Sequence, residues 1–140
     1  MSTFDGTWTY RSFVNDAHEV GDDAQKALDL IFGEGLLTVA KADFGAFKGT
    51  LSFGDQAVLD LRGWTSYGSP FTARFQGVGR AGTQVAGWIY DYLVYLVPDW
   101  PNGVGQQPAL VGSVIRTVPH SNGAAKAGYV ASVVAVKRTT

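Results

Sequence analysis

Arg116 shares strand parity with Leu110, Val114 and Val118, and a guanidinium on an apolar face must either pair with an acid or hold an anionic ligand. Asp91 and Glu34 are the acids that would make it a structural ion pair. A set of aromatic residues runs in the same register pattern. Trp88, Tyr90 and Tyr92 recur at every second position, and Phe71 and Phe75 alternate with Thr72, Arg74 and Gln76. These rings either line a pocket with Arg116 as its polar end or fill a core, and aromatic stripes are more often core. If the pocket is catalytic, a tyrosine or Asp91 is the group placed to assist proton movement, although no decisive acid and base pair stands out.

Other chemistries find little support. Cysteine is absent, which removes disulfides, thiolate metal sites and thiol catalysis together. The histidines, His18 and His120, are far apart with no metal-ligand spacing, so no metal site is expected. Each is read as a surface residue near a turn, with His120, beside Pro119 at a strand end, within reach of a barrel mouth. The glycine pattern Gly77-Val78-Gly79-Arg80-Ala81-Gly82 has the form of a dinucleotide site, but it returns through Thr83, Gln84 and Val85 to a strand rather than opening a helix. It is a hairpin reversal, and no cofactor is implied. No Gly-x-Ser-x-Gly elbow is present. A net charge of −1 gives no attraction for nucleic acid or an anionic membrane.

The elements that position these residues are short. Glycine, 18 residues in all, separates runs rich in Val, Thr, Tyr, Phe and Trp, the pattern of strands joined by tight turns. The runs are Thr7 to Val14, Gly35 to Lys41, Phe47 to Phe53, Ala57 to Ser66, Phe71 to Val78, Val85 to Val97, Leu110 to Val118 and Tyr129 to Arg138. They predict an all-β fold, a single eight-stranded antiparallel up-and-down β-barrel over residues 1–140 with at most one short helix. Asp23 to Phe32 is either that helix, capped by Asp22 or Asp23 and ended by Gly33, or the start of the second strand with a bulge at Gly33-Glu34-Gly35. Ser69-Pro70, Pro98 through Gly103, and Ser121-Asn122-Gly123 read as chain reversals. Pro98 to Pro108 is the longest irregular stretch, either a lid at the barrel mouth or a plain connection. No apolar run approaches the ~20 residues of a membrane helix, and the polar start from Met1 to Gly6 does not read as a secretory signal. A soluble, cytoplasmic protein is expected.

In the middle strands Leu59 and Leu61 alternate with Asp60 and Arg62, which places Asp60, Arg62 and Arg74 on a wet exterior. The last three strands are apolar on both faces. Trp88, Tyr90, Tyr92, Val94 and Leu96 oppose Ile89, Leu93, Tyr95 and Val97; Val111 and Ile115 oppose Leu110 and Val114; Val130, Val134 and Val136 oppose Ala131, Val133 and Ala135. An apolar outer wall predicts a homo-oligomer through these strands.

Gly6-Thr7-Trp8 has the Gly-x-Trp form that opens the first strand of calycins, the superfamily of lipocalins and avidins, and Lys137-Arg138 ends the last strand. Tyr90-Asp91-Tyr92-Leu93-Val94-Tyr95 resembles the Asp-Tyr-x-x-Tyr segment of a late lipocalin strand, without the threonine that usually precedes the Asp. The chain also lacks a cysteine pair and a long helix after the last strand, and in length it is nearer to avidins. The resemblance implies that Trp8 closes the barrel floor with Arg138 packed across its ring, a cation–π contact. It also sets the parity of the first strand, which places Tyr10 inside. The interior that results, lined by Tyr10, Phe71, Phe75, Trp88, Tyr90, Tyr92 and Arg116, implies binding of a small apolar ligand with an anionic or phenolic group. The alternatives are a barrel isomerase or cyclase and a structural homo-oligomer without a ligand.

Overall fold

Runs of seven to ten residues bounded by turns can bury one face each only by pairing edge to edge, and closure into a barrel leaves no edge unpaired. A computed structural model of the protein, describing residues 4–15, 21–40 and 45–139, has this architecture. In chain order the elements are β1 (Gly6–Val14), α1 (Ala24–Asp29), β2 (Ile31–Ala40), β3 (Ala46–Ser52), β4 (Val58–Ser66), β5 (Thr72–Gly79), β6 (Ile89–Leu96), β7 (Ala109–Arg116) and β8 (Val130–Lys137). Each strand pairs antiparallel with the next, and β8 closes on β1 with Trp8 opposite Lys137. The all-β, eight-stranded up-and-down barrel is as expected.

The departures are local and have local causes. Both readings of Asp23 to Phe32 hold in part. Asp23 caps α1 by accepting the N–H groups of Gln25 and Lys26 at 3.0 and 3.2 Å, and the helix ends at Leu30 rather than Gly33 because β2 already begins at Ile31. No residue of α1 is buried, so its apolar residues form no core face. The bulge is at Phe32, since Ser12 pairs with Gly33 and Phe13 with Ile31. Strand β6 starts at Ile89, not Val85: the Trp88 N–H turns back to the Val85 carbonyl at 3.0 Å, leaving Val85 to Trp88 in the connection. Of the predicted second strand, Lys41 lies outside the described residues, as does His18.

Strand direction sorts the connections to two ends. The β6–β7 connection, which contains Pro98 to Pro108, is at the same end as Trp8 and the start of β1. At that end Trp8 is fully buried and its indole N–H donates to the Phe4 carbonyl at 3.0 Å. Rings then climb the axis: Phe4 meets Phe47 edge-on at 4.9 Å, Phe47 meets Phe75 at 5.6 Å, and Phe75 stacks flat on Tyr92 at 4.7 Å. The described rings of this half pack as core. The cation over Trp8 is Lys137, with Nζ 5.7 Å from the ring centroid, and not Arg138. Parity explains the correction: Ala131, Val133 and Ala135 point inward, so Lys137 keeps that phase and the exposed Arg138 does not.

Asp60, Arg62 and Arg74 lie on the exposed exterior as expected. On the last strands the outer residues Leu93, Tyr95, Ile115, Val130, Val134 and Val136 are all about 40 % exposed in the single chain. Among the described residues no helix is long and apolar enough to cross a membrane.

Candidate functional site

Above the Phe75–Tyr92 stack the barrel is open. A cavity of about 700 Å³ is lined by residues from the upper halves of β1, β2, β4, β6 and β7 and from three connections. One side of its mouth is tied: the Gln84 N–H donates to the Gln56 carbonyl at 2.7 Å and the Arg80 N–H to the Val58 carbonyl at 2.9 Å, which join the β3–β4 and β5–β6 turns. Arg80 also clamps Asp60 with two hydrogen bonds of 3.2 and 2.6 Å, and this holds the Asp60 carboxyl below its usual range. The other side carries the β7–β8 connection, where Ser121 and Asn122 take positive φ ahead of Gly123, the reversal expected there.

Arg116 ends β7 with inward parity and is only 8 % exposed. Its guanidinium carbon lies 5.1 to 5.7 Å from the ring centroids of Tyr129, Phe32 and Tyr90. Nε–H donates to Tyr90 Oη at 3.0 Å and one terminal nitrogen to the Lys126 carbonyl at 3.1 Å. Among the described residues it has no carboxylate partner. Glu34 is held by Arg11 at 3.1 Å across the β1–β2 ladder. Asp91 faces outward, where Gln76 and Thr117 donate to it at 2.9 and 2.6 Å, so it takes no part in cavity chemistry.

Beside Arg116 stands His120, stacked flat on Trp88 at 3.5 Å between centroids. Its Nε2 is 2.9 Å from Tyr90 Oη and its Nδ1 2.8 Å from Ser121 Oγ. Burial, and secondly the positive charge of Arg116, push its pKa below 6.5. Because Tyr90 Oη already accepts from Arg116, the consistent assignment is a neutral imidazole that accepts the Tyr90 proton at Nε2 and donates from Nδ1. At the cavity floor, burial raises the Tyr10 hydroxyl and raises that of Tyr92 well above the usual range, so both are neutral donors near pH 7.

Of the residues expected inside, Tyr10, Trp88, Tyr90, Tyr92 and Arg116 meet in this cavity. Phe75 lies beneath it as the support of Tyr92. Phe71 is at the opposite end, against Phe4 and Tyr67, because β5 rises from the closed end and Phe71 precedes it. Ser12, Phe32 and Phe53 join the lining unforeseen, and His120, read as a surface residue within reach of a barrel mouth, joins it at that mouth. Ser12 was readable, as it shares the parity of Trp8 and Tyr10; Phe32 was hidden by its bulge. No group of His, Asp or Glu among the described residues is arranged to hold a metal ion. In comparisons with known proteins, no family model, no curated sequence and no solved structure matches the chain.

Proposed function

We propose that the protein binds a small, planar, largely apolar anion in the open half of its barrel. The observation that supports this most is Arg116: a guanidinium kept from water among three aromatic rings, with no acid to neutralise it among the described residues, at the wall of a cavity. A ligand carboxylate would supply the missing charge, and charge-assisted hydrogen bonds are the strong ones. Titration calorimetry with 2-naphthoate tests the reading. Arg116→Met should weaken binding about tenfold or more, since a hydrogen bond to a charged group contributes roughly 1.5–3 kcal/mol. Unchanged affinity removes Arg116 from the site.

A catalytic reading, as an isomerase-type barrel, draws on the Arg116–Tyr90–His120 chain, in which a phenol is positioned to exchange a proton with an imidazole. Native mass spectrometry of protein from its own host separates the two: retained ligand favours binding, and turnover of that compound favours catalysis. The Trp8 floor with Lys137 across it supports a calycin-like barrel. The apolar exterior of β6, β7 and β8 supports assembly of like chains through those strands.

A further inference from the structure

Ser12 is the one inward position of β1 above the core that carries a small polar group. It is 1 % exposed, and among the described residues its Oγ meets only the hydroxyl of Tyr10, which in turn meets that of Tyr92. A buried hydroxyl whose hydrogen-bonding capacity is only partly used is costly, so its place in the cavity wall calls for an explanation. Two further hydroxyls belong to the same lining, those of Tyr10 and Tyr92, whose rings meet at 6.2 Å. Both are held in the neutral form by burial. Gly33 lines the cavity opposite Ser12 across the β1–β2 ladder. A Cβ there would lie 3.2 Å from both Ser12 Oγ and the edge of the Phe53 ring, so the glycine keeps a methyl group from crowding the hydroxyl.

We infer that Ser12, Tyr10 and Tyr92 form a second, uncharged polar subsite, and that the ligand carries a neutral hydroxyl or carbonyl oxygen in addition to the anionic group. The inference rests on the binding reading above and narrows its ligand class to hydroxylated or keto-substituted apolar acids. The oxygen must be neutral because the subsite offers hydroxyls alone, and a charge buried among them would have no counter-ion. Phe53, at the edge of the niche, is the neighbour that yields as the oxygen enters.

Three probes compared by calorimetry test this: 2-naphthoate, 6-hydroxy-2-naphthoate and 2-naphthol. The hydroxyacid should bind the wild-type protein about fivefold more tightly than the plain acid, the worth of roughly one neutral hydrogen bond. Ser12→Ala should bring that ratio to about one. Gly33→Ala, which crowds the hydroxyl without removing it, should lower the ratio as well. The ligand-free Ser12→Ala protein should melt at the wild-type temperature or above it. Equal binding of the two acids to wild type, a preference that survives Ser12→Ala, or a melting point several degrees lower in that variant overturns the subsite. Failure of the anion reading looks different: 2-naphthoate would bind wild type and Arg116→Met alike, while 2-naphthol would still report on Ser12. If none of the probes binds, both are overturned.

Discussion

His120 couples the site to pH. Its pKa is lowered in the folded protein by burial and by Arg116, so between the folded value and the unfolded value near 6.5 the unfolded chain holds more protons. The stability that this neutral imidazole contributes is therefore present above about pH 6.5 and is lost as pH falls through that window. A series of melting curves from neutral to mildly acid pH should show wild type losing stability more steeply than His120→Gln; parallel curves would show that His120 does not titrate against the fold. Nearness to a barrel mouth was legible here, and the partners of the ring were not. A histidine beside proline in a connection has no parity, whereas Arg116, on a strand, does. The same contrast explains the exchange of Arg138 for Lys137 over Trp8: the run of alternate inward residues, followed one step further, selects the lysine.

At the scale of elements, strands were recognisable because turn residues punctuate the chain at intervals too short for helices. Their ends were less so. Val85 to Trp88 reads as strand from composition, yet backbone hydrogen bonds fold it into the mouth. Some glycines serve packing rather than turning. Gly63 faces the barrel interior on β4, paired with Phe75, and a Cβ at that position would collide with the Phe75 side chain and the Arg74 carbonyl. Its absence lets Phe75 lie flat under Tyr92. Gly63→Ala should therefore cost about 1–3 kcal/mol by overpacking, against a few tenths for Gly68→Ala, where the nearest atom is 3.7 Å away. Urea denaturation of the two variants measures the difference, and equal midpoints would show that the strand absorbs the extra methyl.

For the whole molecule, the barrel has a filled half and an open half, and an exterior that is wet on one side and apolar on the other. Leu93 and Tyr95 on β6 and Ile115 on β7 are exposed in the single chain, and Tyr95, Leu93 and Ile115 lie along adjoining ladder positions. Light scattering at micromolar concentration should give a mass above that of one chain, and Leu93→Lys combined with Ile115→Lys should return it to one chain with the barrel intact by circular dichroism. A wild-type protein that runs as a single chain would leave that wall to some other use. Composition and alternation by themselves determined the all-β class, the strand count and which faces are apolar, because side-chain phase along a strand is a local property of the backbone. Whether the interior aromatics were core or pocket was decided only by tertiary structure. Alternation says that a residue points inward but not at what height, and height depends on strand direction and on closure of the barrel. Trp8, Phe47 and Phe75 fall where the rings crowd together, while Tyr90, Trp88 and Arg116 fall where they part.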